Sequence, residues 1–227
     1  MCAGVCGTCT LVSCHLVNCL LIMFTNDSSS SVMSLSINPK DTNTFASACL
    51  DRTVKIWSLG SPHANSTLEA HDQKGVNYVD YYPHSDKPYI LTTSDDRTVK
   101  VWDYTTKSLI ATLEGHTNNV SFACYHPELP IIISGSEDGS VRIWHANTYR
   151  YELSLSYSLE RAWCVAYQKG KQHIAVGYDD GAVVVKLGRE EPAVSMDGSG
   201  KLIWARHNDV VSSIIKGSGE CECLSCL

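Results

Sequence analysis

Two sets of residues in this chain could do chemistry. His71, Thr92, Asp96 and Trp102 form one, and His116, Ser134, Asp138 and Trp144 form the other at matching places. Histidine, hydroxyl and carboxylate are the ingredients of a nucleophilic triad, in which the imidazole takes the hydroxyl proton and the acid orients the imidazole. Their recurrence argues against that use. A hydrolase needs one triad, not one per repeat, and each set here includes a tryptophan that a triad does not need. An indole N–H must find a buried acceptor, which the hydroxyl supplies, while the Asp accepts from the imidazole and from turn amides. The sets therefore read as internal hydrogen-bond networks, in which each buried group left unpaired costs about 1–3 kcal/mol. No Gly-rich phosphate loop, nucleophile elbow or H-E-x-x-H pattern accompanies them. The chain reads as a non-enzyme with no cofactor.

The elements that must position these residues are strands. FASACLDRTVKIW (Phe45–Trp57), ILTTSDDRTVKVW (Ile90–Trp102) and IIISGSEDGSVRIW (Ile131–Trp144) repeat one pattern, with tryptophans 45 and 42 residues apart and Asp51, Asp96 and Asp138 each six residues before a Trp. A period of about 40–45 residues is the sign of a β-propeller. Within each period four short alternating runs are separated by turn residues. The His–Ser/Thr–Asp–Trp sets resemble the tetrad of WD-repeat blades. A fourth cycle, RAWCVAY, HIAVGY, DDGAVVVKLG, is degraded and has Lys186 where the others have Trp. AVSMDGSGKLIWARH then offers a hairpin about Gly198–Gly200. The expected fold is all-β: an incomplete WD-repeat β-propeller of about four blades over 32–207. A non-repeat Cys-rich segment precedes it at 1–31, and an irregular tail follows at 208–227. Four blades leave edge strands and blade faces uncovered, so self-association is expected.

Net charge of -6 argues against nucleic-acid binding and against an anionic membrane surface as direct partners. Of eleven cysteines, eight lie in the first 19 or last seven residues. The repeat region, with Cys49, Cys124 and Cys164, reads as a reduced cytosolic protein. Cys6/Cys9 and Cys223/Cys226 are C-x-x-C pairs. With His15 they could hold zinc, or they are coincident features of two Cys-rich tails; no metal is expected. Leu11–Phe24 is apolar but broken by His15 and Asn18 and has no basic flank, so it fits neither a membrane span nor a signal peptide.

The turns between second and third strands lie on the face where propellers usually dock ligands. Before each turn Asp stand Leu50, Asp95, Glu137 and Asp179. Three carboxylates there suit a cationic partner such as a lysine-bearing peptide. They equally suit ordinary solvated turns.

From about Ile37 to His207 the chain resembles the coatomer beta-prime family of the COPI vesicle coat. The runs HPELPIIISGSEDGSVRIWHANTYR and KLGREEP carry the likeness most specifically. The resemblance implies a role in vesicle-mediated protein transport between Golgi and ER. It also implies peripheral association with Golgi membranes and coated vesicles from the cytoplasm. Other coatomer subunits and the dilysine (K-K-x-x) tails of cargo membrane proteins are the implied partners. Asp51 and Asp95 match acidic positions that engage the lysines. The family's basic residues for the cargo carboxylate lie in blades that precede those present here. A generic WD-repeat scaffold, or a piece of a longer coat subunit without function of its own, are the alternatives.

Overall fold

A computed structural model describes residues 30–84, 86–168 and 170–188, with the backbone of four further strands up to residue 226. The chain divides into two units, Met1–Lys186 and Leu187–Leu227.

Among the described residues the first unit holds three four-stranded antiparallel sheets and one of three strands, each a simple meander. Blade 1 is β1 (Val32–Ile37), β2 (Thr44–Cys49), β3 (Thr53–Ser58) and β4 (Ser66–Glu69). Blade 2 is β5 (Val76–Tyr81), β6 (Tyr89–Ser94), β7 (Val99–Asp103) and β8 (Ser108–Leu113). Blade 3 is β9 (Val120–Tyr125), β10 (Ile131–Ser136), β11 (Ser140–His145) and β12 (Tyr151–Ser156). Blade 4 has β13 (Ala162–Tyr167), β14 (His173–Tyr178) and β15 (Gly181–Lys186). First strands pack in succession, β1 on β5, β5 on β9 and β9 on β13. This is the all-β propeller arrangement that the repeats predict.

The burial pattern explains the composition. In β2, β6 and β10 every residue after the first is buried, because neighbouring blades cover parts of both faces. These strands therefore read as nearly continuous runs of small and apolar residues rather than as alternation. The outer strands β8 and β12 are mostly exposed. The cores lie between blades: Ala46, Val54, Val76 and Val79 share one cluster with Trp102, while Leu91, Val101, Val120 and Ile132 share the next with Trp144. Close approach demands small side chains. A Cβ on Gly135 would sit 2.2 Å from two ring carbons of Phe122. Gly135→Ala is expected to cost about 1–3 kcal/mol through overpacking, read as a lowered urea midpoint at unchanged slope.

The second unit is a four-stranded meander, β16 (Val194–Met196), β17 (Lys201–Arg206), β18 (Asp209–Ile215) and β19 (Cys221–Cys226). The expected hairpin is present, with Met196 opposite Leu202. The expected irregular tail at 208–227 is corrected: strands occupy Asp209–Ile215 and Cys221–Cys226, and Ile215 pairs with Cys221. The β-branched Val210, Val211, Ile214 and Ile215 favour an extended chain, and β18 has a strand on each side to satisfy its backbone. Cys6, Cys9 and His15 lie outside the described residues, as does the segment 1–29.

Candidate functional site

Register places the tetrad hydroxyls. Ser47, Thr92 and Ser134 lie opposite Lys55, Lys100 and Arg142, the same step in three blades. In blade 2 Trp102 Nε1 donates to Thr92 Oγ1 (3.3 Å), Thr92 Oγ1 meets His71 Nε2 (2.9 Å), and His71 Nδ1 meets Asp96 Oδ2 (2.6 Å). In blade 3 the distances are 2.9 Å for Trp144–Ser134, 2.9 Å for Ser134–His116 and 3.0 Å for His116–Asp138. The proton order follows from donor counting. An indole can only donate, so the hydroxyl oxygen accepts it. The hydroxyl proton then goes to Nε2, and the ring proton sits on Nδ1 and is given to the carboxylate. Blade 1 keeps the Trp57–Ser47 bond at 2.9 Å.

Each Asp also closes its turn. Asp51, Asp96 and Asp138 accept the backbone N–H two residues on at 2.9, 2.9 and 2.8 Å, the Asx-turn arrangement. This holds the intervening residue left-handed: Arg52 at φ 77°, Arg97 at 71° and Gly139 at 77°. Burial would raise the Asp96 pKa, but the bonds from His71 and Thr98 outweigh it and bring it down to about 2. Asp138 falls to about 2 through Ser140 and Thr117 against the same burial. Desolvation lowers the His116 pKa, so the imidazole stays neutral at pH 7, as the proton order requires.

The turns carrying Asp51, Asp95, Glu137 and Asp179 all lie at the same end of successive blades, since each joins a second strand to a third. The structure shows what aims these acids, which the sequence did not reveal. First strands carry a bulge near their start, between Val32/Ser34, Val76/Tyr78 and Ala162/Cys164. A bulge re-aims one side chain. In β5 that residue is Asn77, whose amide donates to Asp95 Oδ1 at 2.7 Å and to Val120 O of blade 3 at 3.1 Å. In β13 it is Trp163, whose indole donates to Asp179 Oδ1 at 2.6 Å. A second route comes from the residue just before the strand. Asn119 reaches Glu137 Oε1 at 3.3 Å, and Arg161 pairs with Asp179 Oδ2 at 3.0 Å. A polar residue at or just before the start of β5, β9 and β13 was the signal available.

Charge is therefore uneven along the row. Asp179 is answered by Arg161, whereas Asp95 and Glu137 have no ion pair among the described residues. Asp51 is partly buried, which would raise its pKa, but the hydroxyl and amide of Thr53 hold it below the usual carboxylate range. Its neighbour Leu50 is exposed, as is the bulged Met33 of β1. Blade 1 thus sets apolar surface beside the ionised Asp51. Blade 4 departs from the pattern. Tyr178 pairs directly with Gly181, so its turn is only Asp179-Asp180, and Asp179 rather than Asp180 makes the bonds. Among the described residues no group of acids, histidines and cysteines is placed to hold a metal ion.

A stack of four-strand meanders tied by His–Ser/Thr–Asp–Trp networks defines a WD-repeat propeller. The family model for the WD domain, G-beta repeat, matches residues 18–58, 63–103 and 107–145, and the chain belongs to that family. The first match begins at residue 18, inside the segment 1–31 that sequence reading set apart. More narrowly, the chain is similar to coatomer subunit beta'. It is 64% identical over 185 residues to the probable coatomer subunit beta' of Caenorhabditis elegans, covering 82% of this chain and 18% of that protein. Against the Schizosaccharomyces pombe counterpart it is 58% identical over 189 residues, 83% of this chain and 24% of the relative. Against coatomer subunit beta' of Homo sapiens it is 62% identical over 191 residues, 84% and 21%. The chain spans about a fifth of the length of these relatives.

Proposed function

We propose that the turn face of blades 1 to 3 docks the K-K-x-x tail of cargo membrane proteins. The chain would then act as a coatomer beta-prime-like element in transport between Golgi and ER. One observation carries the reading. Asp95 is held in place through one oxygen by Asn77, has no cation partner among the described residues, and so presents a positioned carboxylate on this face. Asp51, kept ionised by Thr53, supplies a second acid in the neighbouring blade. Leu50 beside it offers apolar surface for the methylenes of a lysine whose ammonium reaches the acid. The similarity to coatomer subunits beta' supports the same role, with other coatomer subunits as partners and a cytoplasmic station on Golgi membranes and COPI vesicles. Binding needs no catalysis: it exchanges solvated charges for a placed carboxylate–ammonium contact, which gives specificity more than raw affinity.

The test is fluorescence anisotropy with a labelled dilysine tail peptide and a control carrying acids for its lysines. Asp95→Lys is expected to weaken the dilysine peptide at least about tenfold and to leave the chain folded, because Asp95 stands outside the tetrad and Asn77 keeps its bond to Val120 O. Equal binding of both peptides, or an unaffected Asp95→Lys variant, contradicts the reading.

A further inference from the structure

The outermost strand of a blade has one side without a neighbour, and such an edge invites pairing with another chain unless it is short, bulged or otherwise blunted. Blades 1 to 3 blunt theirs. β4 is only four residues long, Ser66–Glu69. β8 carries Ile110 as an extra residue, since Val101 faces Ala111 and Trp102 faces Leu109. β12 carries Glu152 in the same way, since Ile143 faces Leu153 and Trp144 faces Tyr151. A bulge bends an edge away from a flat partner.

β15 (Gly181–Lys186) has none of these devices. Among the described residues it is the outermost strand of blade 4. It pairs with β14 without a shift, from Gly181 opposite Tyr178 to Lys186 opposite His173. Its sequence, GAVVVK, runs through three consecutive valines, which favour an extended chain. Tyr178 and Gly181 close the turn at Asp179-Asp180, so Gly181, Val183 and Val185 bond back to β14, while Ala182 and Val184 turn their N–H and C=O groups outward. The Val184 side chain is 69% exposed.

The edge is complementary to itself. Set antiparallel to a second copy about a two-fold axis at Val183, it places Val183 opposite Val183 and Ala182 opposite Val184, and the outward backbone groups of Ala182 and Val184 exchange hydrogen bonds. Every pair then lies on one face of the joined sheet, as pairing requires. Charge selects this register. It sets Asp180 of one copy directly opposite Lys186 of the other, and the symmetry makes that contact at both ends. A shift of two residues loses it. Asp180 is exposed, and the bonds that hold its own turn are made by Asp179 instead.

We propose that β15 is a self-association edge, which pairs antiparallel with β15 of a second copy about a two-fold axis at Val183 and joins the two fourth blades into one sheet. This gives the self-association expected of uncovered edges a single place and an isologous geometry. It uses neither Asp51 nor Asp95, so it does not depend on the dilysine reading.

The experiment is sedimentation equilibrium of the full chain across a concentration series. The wild type is expected to pass from monomer to dimer with a dissociation constant on the order of 10 µM, as suits a small interface. Val184→Pro is expected to weaken the dimer at least about tenfold and to stay folded, because proline is tolerated where an edge N–H faces away from the sheet. Asp180→Lys and Lys186→Asp are each expected to weaken it about threefold through like charges set opposite one another, and the two together to restore it; this set decides the matter should Val184→Pro fail to fold. A wild type that remains monomeric up to about 1 mM, a dimer untouched by Val184→Pro, or a double charge swap no tighter than the single variants each overturns the proposal.

Discussion

Thr92→Val is expected to cost this fold about 2–4 kcal/mol, while Thr93→Val, one residue away, costs nothing or adds about 1–2 kcal/mol of stability. Both threonines are fully buried in β6, and valine keeps the shape of either side chain. The difference lies in their oxygens. Thr92 Oγ1 sits between the Trp102 indole and His71 Nε2, so its loss orphans a buried donor and a buried acceptor. Thr93 Oγ1 has no partner among the described residues, so its removal relieves a desolvated hydroxyl. Urea unfolding of the two variants at one pH measures both. Equal effects, or a neutral Thr92→Val, would remove the tetrad from the account of stability.

The second large effect concerns Asp80. Its Oδ1 accepts from Ser36 Oγ of β1 at 3.2 Å and its Oδ2 from Tyr125 N of β9 at 3.1 Å, so one carboxyl in β5 ties the first strands of three successive blades. Desolvation pushes its pKa from 3.8 up to about 7. A raised carboxyl pKa means that the folded state holds a proton which the unfolded chain releases between about pH 4 and 7. The contribution of this group is thus complete at low pH, and falls as pH rises through that window. About three units at about 1.4 kcal/mol each set an upper bound of about 4 kcal/mol. Water reaching this partly buried site brings the expected loss to about 2 kcal/mol. Asn at this place mimics the protonated acid: its oxygen accepts from Tyr125 N and its amide donates to Ser36 Oγ. Asp80→Asn should therefore match the wild type near pH 4, gain on it as pH rises, and exceed it by about 2 kcal/mol at pH 8. Taking the difference between variant and wild type removes opposing terms such as His116, whose depressed pKa makes stability rise with pH. A difference profile that is flat from pH 5 to 8 contradicts the assignment.

Much of the fold is legible in the sequence because it is written three times. The four short strands of each of the first three blades follow the expected period, and the residues of both tetrads meet as their recurrence implied. What occurs once leaves no periodic trace. Asp80 is such a residue, since the facing positions of blades 1 and 3 supply a hydroxyl and a backbone N–H instead. The partners of the turn acids were hidden for a different reason. Asn77 and Asn119 both stand eighteen residues before their acids. Yet one is the bulged residue of its strand and the other precedes its strand, because the connection between β5 and β6 is longer than that between β9 and β10. Equal spacing therefore does not mean equal place in the blade. The blade-4 turn escaped because the pattern implied a tetrad Asp where there is no Trp for the network to hold, and pairing runs on to Gly181. Strands in the last twenty residues escaped because Ser, Gly and Cys there suggest turns, while sheet pairing decides otherwise.

The claim that Asp95 receives a lysine is tested most directly by a double-mutant cycle. Anisotropy titrations would pair wild type and Asp95→Asn with a dilysine tail peptide and with versions in which each lysine in turn is methionine. The account predicts a coupling of at least about 1 kcal/mol between Asp95 and one of the two lysines, shrinking as salt is raised. Energies that add to within about 0.5 kcal/mol for both lysines, or no binding of the dilysine peptide at all, would contradict it.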